Sequence, residues 1–144
     1  MSLSDQIEQY LASVPEPKQT DLRALYALVS ELLPGGQRWF FDGLDASGKV
    51  VSNPNIGFGA YQKAYADGTV KPFYQIGISA NATGLSVYVM GIDDRRYLPG
   101  KYSGTIGKAN VTGYCVKFRA LKDVHIDVLT NLLRDGLAHS SRCS

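Results

Sequence analysis

Two carboxylates and an imidazole stand at alternate positions near the end of the chain, in the order Asp123, His125 and Asp127. These residue types bind metal ions, so the spacing suggests a cluster of ligands. The segment also has the apolar periodicity of an α-helix, on which side chains two residues apart point in different directions. The sequence therefore favours Asp123 as a helix cap and Asp127 as a first-turn residue over a metal site.

No other spacing typical of a catalytic site accompanies the two histidines, His125 and His139. The chain has no His-x-x-x-His or Cys-x-x-Cys motif, and no serine or cysteine has a recognisable histidine partner. Paired carboxylates stay open as an acid–base device, because such pairs form in space rather than along the chain. These observations favour a non-enzymatic protein, with an enzyme as the alternative.

A stretch rich in glycine and tyrosine, PNIGFGAYQKAYADG at residues 54–68, could also bind a ligand. A glycine loop that holds phosphate links a strand to a helix, and this context is missing here. The alternation instead predicts one β-strand, with Ile56 and Phe58 on one face and Tyr61 and Lys63 on the other. The Asp-Gly pair at its end predicts a hairpin turn.

Helical periodicity flanks a long segment of strand periodicity. A first helix is expected to be capped by Ser4, a second spans about residues 18–33, and a closing helix follows Asp123. Between them, alternation over residues 38–118 predicts strands joined by short turns. The order predicts one α+β domain over residues 1–144, with its core at about 5–138. The expected architecture is a two-layer sandwich of a mainly antiparallel sheet of five to six strands, with two N-terminal helices and one C-terminal helix on one face.

The sheet face that the helices leave uncovered is expected to be aromatic. Tyr61, Lys63 and Tyr88 are expected to be its most exposed strand residues. Contiguous exposed apolar surface is typical of an interaction site. The leading hypothesis is a binding or adaptor domain that uses this face for a protein partner, a small ligand or a second copy in a homodimer; the alternative is that these are ordinary half-buried strand residues. The candidate binding residues are Tyr61, Lys63, Tyr65, Phe73, Tyr88, Met90 and Lys117.

Charge is distributed unevenly along the chain. Residues 1–45 carry three Lys or Arg against seven Asp or Glu, whereas residues 92–122 carry seven against two. Lys101, Lys108 and Arg119 are candidates for binding an anion, which would suit a small enzyme acting on an anionic substrate. The pI of about 8.5 is only mildly basic and no RNP-like motif is present, which disfavours nucleic-acid binding.

The beginning of the chain favours a cytoplasmic protein. Residues 1–8 are polar and acidic, and they have neither the basic start nor the apolar run of a secretory signal. No apolar stretch approaches the ~20 residues that a membrane helix needs. We therefore expect a cytoplasmic location and no membrane partner.

The chain resembles the YdhG-like family, a bacterial family of domains of unknown function, over roughly residues 5–138. The resemblance rests on the paired N-terminal helices and on three segments, IGFGAY, QIGISANATGLSVYVM and GKANVTGYCVKFRALKDVHIDVLTNLL. It implies a two-layer α+β fold grouped with frataxin-like and YjbR-like proteins, and some members are called iron chaperones on that ground. The alternative that it implies is metal delivery, with iron held by Asp5, Glu8 and Glu16; no cofactor is otherwise expected.

The chain departs from this family in two basic features. The family has a Ser-Pro-Arg-Lys-like loop where this chain reads Ser-Ala-Asn-Ala at residues 79–82. It has a Gly-Lys-Ser-Cys-like run where this chain reads Thr-Gly-Tyr-Cys at residues 112–115. If the family holds an anion with these features, this chain either does not hold one or uses Lys101, Lys108 or Lys117 instead.

Overall fold

A computed structural model describes residues 2–141 of the chain. Among these residues no helix is long and apolar enough to cross a membrane. In chain order the elements are α1 (Leu3–Ser13), α2 (Lys18–Leu32), β1 (Arg38–Phe41), β2 (Asn55–Phe58), β3 (Tyr61–Ala64), β4 (Val70–Phe73), β5 (Ile76–Asn81), β6 (Gly84–Val89), α3 (Tyr97–Tyr102), β7 (Asn110–Val111), β8 (Cys115–Phe118), a 3-10 turn (Leu121–Asp123) and α4 (Ile126–Ser141).

The strands form one large sheet and one separate hairpin. The large sheet has six strands in the order β1-β2-β5-β6-β8-β7, and β3 pairs with β4 alone. Every pairing is antiparallel. This arrangement confirms the α+β class and the antiparallel sheet that the sequence predicts.

One face of the six-stranded sheet, here called the helix face, forms the core with the helices. The strand register aligns Ile56, Ile78, Val87 and Val116 in one row across it, and all four are fully buried. Burying one such side chain stabilises the fold by about 1.5–3 kcal/mol, so this face fixes where the helices pack. The helices cover it with Leu22, Leu25 and Val29 from α2 and Leu129, Leu132 and Leu133 from α4.

Two helix starts differ from the sequence predictions. Ser2 rather than Ser4 caps α1, because its Oγ accepts a hydrogen bond from the Asp5 amide at 3.2 Å. Asp123 does not cap α4, since it ends a 3-10 turn and α4 begins only at Ile126. In both places a local hydrogen bond or turn shifts the boundary by a few residues, as is common at helix ends.

The alternation predicted one continuous strand over residues 54–68, but the structure divides this stretch between β2 and β3. The chain leaves the large sheet at Gly59, where φ is +77°, and β3 starts the separate hairpin two residues later. This φ favours glycine, and an added Cβ would also overlap the side chain of Gln75. The break therefore separates Tyr61 and Lys63 from the sheet face that carries Gly57.

Candidate functional site

Tyr74 lies on the sheet face opposite the helices, which we call the open face. Its ring covers the paired residues Gly57 and Gly77, and a Cβ atom at Gly77 would come within 2.6 Å of Tyr74 Cε1. Strict two-residue alternation over residues 73–78 predicts the reverse, with Tyr74 on the helix side beside Ile76. That prediction is wrong because strand geometry is interrupted between β4 and β5, where Gln75 turns toward α4.

An aromatic cluster, formed by Trp39, Phe41, Phe73 and Tyr74, occupies this part of the open face. The Phe73 and Tyr74 rings stack with centroids 4.2 Å apart, and Phe41 lies 5.9 Å from Phe73. Trp39 lies 6.1 Å from Phe73, and its Nε1 donates a hydrogen bond to the Gly59 carbonyl at 2.7 Å. Of these four residues, only Phe73 was predicted from the sequence as a binding residue. The signal that could have added Trp39 and Phe41 is their two-residue spacing on β1.

Lys63 reaches this cluster from the β3–β4 hairpin. Its Nζ lies 4.8 Å from the Phe73 ring centroid and 5.4 Å from that of Tyr65. A cation over an aromatic ring at an exposed site contributes about 0.5–1 kcal/mol. Three of the predicted site residues, Lys63, Tyr65 and Phe73, are therefore brought together beside the aromatic cluster.

Tyr61 is buried, although the sequence predicted it among the most exposed strand residues. Only 6% of its surface is exposed. It pairs with Phe73 across the hairpin, and its ring approaches Gly91, where an added Cβ would lie 3.4 Å from Tyr61 Cε2. Because the hairpin has left the large sheet, this side of β3 packs back onto the protein. Tyr61 therefore positions the hairpin rather than presenting a contact surface.

Of the remaining three predicted residues, Tyr88 lies beside Tyr74, whereas Lys117 and Met90 lie outside the aromatic cluster. Tyr88 is half-buried on the open face, opposite Gly77 and Cys115 in the register, and burial raises its pKa. Lys117 on β8 is exposed, and Met90 is half-buried in the wall of a separate cavity of about 420 Å³. The structure thus divides the predicted surface into parts that do not form one site.

A cavity of about 320 Å³ opens beside the aromatic cluster, against the loop that joins β1 to β2. Phe41, Phe73 and Tyr74 form its aromatic wall. Leu44 and Val51 lie at its rim and are 45% and 64% exposed. Exposed aliphatic side chains next to a concave aromatic wall are typical of an interaction site.

Asn55 supplies a polar group to the wall of this cavity. Its Nδ2 points to the Asn53 carbonyl at 3.4 Å. Its Oδ1 is buried and accepts no hydrogen bond from any residue that the structure describes. An unsatisfied buried acceptor costs about 1–3 kcal/mol, so the Asn55 carboxamide offers a ligand an acceptor that lacks a donor. No motif or spacing in the chain singles out this residue.

A second cavity, of about 910 Å³, is here called the basic groove. Its basic side chains are Lys18, Lys108, Arg119 and Lys122. The structure therefore brings two of the predicted anion-binding residues together. It places the third elsewhere, because Lys101 Nζ forms an ion pair with Asp135 Oδ2 at 2.8 Å. Lys18 and Lys122 were missed because only the fold brings their segments to the same cavity.

Asp135 on α4 is the centre of a polar cluster that the sequence analysis did not predict. Its Oδ2 accepts hydrogen bonds from Tyr97 at 2.7 Å and from Lys101 and Tyr102 at 2.8 Å each. Burial opposes ionisation of Asp135, but these three donors outweigh it and lower its pKa to about 2. Burial and the same carboxylate raise the pKa of Tyr102 to about 12. The cluster fastens α3 to α4.

The carboxylates proposed for iron do not converge. Glu8 forms two hydrogen bonds with Arg23, at 2.8 and 3.1 Å, and Glu16 Oε1 accepts from the Thr20 amide and hydroxyl. Asp5 is an exposed residue of α1. Across residues 2–141, no three His, Cys, Asp or Glu side chains are grouped so that they could hold a metal ion.

The shifted pKa values of four carboxyl groups also bear on the alternative that the protein is an enzyme. Those of Glu8, Asp45, Asp67 and Asp135 all lie below the ordinary value, because each carboxylate accepts hydrogen bonds. A carboxyl group that acts as a general acid near neutral pH needs a raised pKa. None of these four carboxyl groups has a raised pKa.

Comparisons of the chain with protein-family models, with curated protein sequences and with solved structures give no match. The resemblance to the YdhG-like family therefore stays a prediction, and the candidate site is argued from its own geometry.

Proposed function

We propose that the protein is a non-enzymatic binding domain that holds a small, flat, largely apolar ligand in the cavity beside the aromatic cluster. The observation that carries the proposal is a cavity walled by Phe41, Phe73 and Tyr74, whose lining includes Asn55 with a buried Oδ1 that accepts no hydrogen bond from the described residues. A ligand with an aromatic ring and one hydrogen-bond donor matches both features.

The dimensions of the cavity favour a ligand of one or two rings. Its volume of about 320 Å³ lies at the lower end of ligand pockets. An apolar ring that enters it leaves water and gains about 25 cal/mol per Å² of buried apolar area, before the cost of association. The rings of Phe41 and Phe73 are already held by their aromatic neighbours, so little side-chain freedom is lost on binding.

Asn55 supplies the polar part of the recognition. The terminal torsion of an asparagine side chain has a broad energy well, so a small rotation turns Oδ1 toward a donor in the cavity. A net hydrogen bond of this kind contributes about 0.5–1.5 kcal/mol. Ligands that differ only in the donor should therefore differ in affinity.

Indole and 1-methylindole form a matched pair of probes, because only indole has an N–H donor. We expect both to shift backbone amide resonances around Asn55 and Phe73 in titrations of ¹⁵N-labelled protein. Indole should bind about five times more tightly, as one net hydrogen bond of ~1 kcal/mol requires. Equal affinities, or shifts that avoid the cavity, would contradict the proposal.

Asn55→Leu provides the matching protein variant. It should abolish the difference between the two probes while leaving 1-methylindole binding in place, because the aromatic wall is unchanged. Asn131→Leu, at an exposed position on α4, is the control and should keep the difference. Concentration-dependent shifts at Leu44 and Val51 without ligand would assign the rim to a contact between two copies of the chain, and this would also overturn the proposal.

A further inference from the structure

The basic groove is lined by four basic side chains and by fewer carboxylates. Glu16, Asp21 and Asp123 also line it. Glu16 Oε1 accepts two hydrogen bonds from Thr20, at 2.8 Å each. Asp21 Oδ2 accepts a hydrogen bond from the Leu121 amide at 3.0 Å. Glu16 therefore bonds within its own segment, whereas Asp21 joins two walls of the groove.

None of the four basic side chains forms an ion pair among the residues that the structure describes, and three of them form no side-chain hydrogen bond there either. Lys108, Arg119 and Lys122 are exposed, and their side chains form no ion pair within residues 2–141. Lys18 differs, because its Nζ donates to the backbone carbonyl of Asn81. The groove therefore has four basic side chains against three carboxylates, and three of its cations are exposed and free of ion pairs, which favours binding of an anion.

The fold holds together the segments that carry these charges. The bond between Asp21 and the Leu121 amide joins α2 to the segment that follows β8. The Lys108 amide donates to the Asp123 carbonyl at 2.8 Å, which fixes the loop before β7 on the same wall. Because these contacts join segments far apart in the sequence, backbone movement cannot readily separate the cations. An anion would bind to a site whose backbone is preorganised, which lowers the free-energy cost of binding.

Apart from Thr83, the uncharged lining of the groove is apolar, and the groove is large enough for an organic molecule. Pro15, Pro17, Ala82 and Ala120 line it between the charged side chains. Its volume of about 910 Å³ far exceeds what an inorganic anion fills and lies within the usual range of ligand pockets.

We propose that the basic groove binds a small organic phosphate. The phosphate group contacts Arg119, Lys108 and Lys122, and the carbon part of the ligand lies against Pro15 and Pro17. The guanidinium of arginine matches two phosphate oxygens at once, whereas lysine acts as a point charge. This site is separate from the cavity beside the aromatic cluster and does not depend on the function proposed for it.

Phenyl phosphate, inorganic phosphate and benzoate test the two parts of this proposal in NMR titrations. Phenyl phosphate should give saturable shifts at the backbone amides of Lys108, Arg119 and Lys122, with the highest affinity of the three. Inorganic phosphate that binds as tightly would show that the apolar walls contribute nothing. Benzoate that binds as tightly would show that the site does not select phosphate. Either result would overturn the proposal.

A charge-matched pair of double variants separates the groove from the overall charge of the protein. Lys108→Gln with Arg119→Gln should weaken phenyl phosphate binding by about tenfold or more, the effect of losing two direct charge contacts. Lys49→Gln with Lys71→Gln removes the same charge at exposed positions outside the groove and should leave the affinity within about twofold. Equal weakening in both would refute the site.

Two further measurements make the result specific. Lys122→Gln alone should weaken phenyl phosphate binding about threefold, so the proposal stays testable if the double variant fails to fold. Indole binding should be unchanged in every groove variant. Loss of phenyl phosphate binding with indole binding intact would assign the defect to the groove, whereas unchanged phenyl phosphate binding in Lys122→Gln and the double variant would contradict the proposal.

Discussion

The ring of Tyr74 occupies the space that a side chain at Gly57 would need. An ideal Cβ atom at Gly57 would lie 2.6 Å from Tyr74 Cγ, closer than real Cβ contacts allow. Tyr74 is 5% exposed although it lies on the face away from the helices. The glycine and the tyrosine thus form one unit, in which the missing side chain lets the ring lie against the sheet and support the aromatic cluster.

Gly57→Ala should therefore destabilise the protein through steric overlap. We expect a loss of about 1–3 kcal/mol in the free energy of unfolding, the usual cost of overpacking a closed site. The overlap is with the ring and the Cβ atom of Tyr74, so the same substitution in a Tyr74→Gly background, which removes both, should cost less than about 0.5 kcal/mol. Urea unfolding followed by circular dichroism measures both.

Gly100→Ala is the control for this cycle. An added Cβ at Gly100 would meet nothing within 4 Å, so the substitution should leave stability unchanged or raise it by up to about 1 kcal/mol, since Gly100 lies in α3. A cost for Gly57→Ala that persists without the Tyr74 ring would show that the glycine is needed for another reason.

The regular elements of this fold were predictable from local patterns, but the interruptions were not. The predicted start of alternation at residue 38 matches the start of β1, Arg38–Phe41, and the sequence predicts α2 to within a residue. Alternation then fails at Gly59 and at Tyr74, because a two-residue period holds only while the chain stays in one sheet. At Gly59 the chain leaves the sheet, and the Gln75 side chain lies where a Cβ atom would be. A contact between such distant residues leaves no periodic signal in the sequence.

The candidate sites were less predictable than the fold for the same physical reason. Lys101 and Lys108 look equivalent in the sequence, yet Asp135 pairs with Lys101 across 34 positions of the chain. Lys18 reaches the basic groove because its Nζ binds the Asn81 carbonyl, 63 positions away. Charge counted along the chain identifies a basic segment, but only the packing decides which charges stay unpaired.

The buried hydrogen bond between Gln75 and Ser140 should stabilise the attachment of α4 to the sheet. Gln75 Nε2 donates to Ser140 Oγ at 2.7 Å, and the two residues are 8% and 0% exposed. Ser140→Ala leaves the Gln75 amide without this acceptor, so we expect a loss of about 1–3 kcal/mol in the free energy of unfolding. Denaturant titration measures it.

Replacing both partners separates the hydrogen bond from packing. Gln75→Met combined with Ser140→Ala removes the polar pair together and should cost less than Ser140→Ala alone. Ser103→Ala, at an exposed position, is the control and should change stability by less than about 0.5 kcal/mol. If the double variant were the least stable of the three, the contribution would come from side-chain shape instead.

Asp135→Asn should loosen the contact between α3 and α4. The asparagine keeps an acceptor for the tyrosine hydroxyls but loses the negative charge that pairs with Lys101. We expect a loss of about 1.5–3 kcal/mol at neutral pH, the range for hydrogen bonds to a charged group, together with faster amide hydrogen exchange in α3. Asp93→Asn removes an exposed carboxylate and should have little effect on either measurement. A similar loss in both variants would mean that net charge rather than this cluster is responsible.

The same cluster should make stability depend on pH in acid. The pKa of Asp135 is about 2 in the folded protein, below its ordinary value of about 3.9 in an unfolded chain. The unfolded state then binds the proton more readily, so the stabilisation by Asp135 is complete above about pH 4 and is lost as the pH falls toward 2. Unfolding free energies measured from pH 6 down to about 2 should therefore converge for the wild type and Asp135→Asn as the pH falls. A constant difference between the two proteins over that range would contradict a lowered pKa for Asp135.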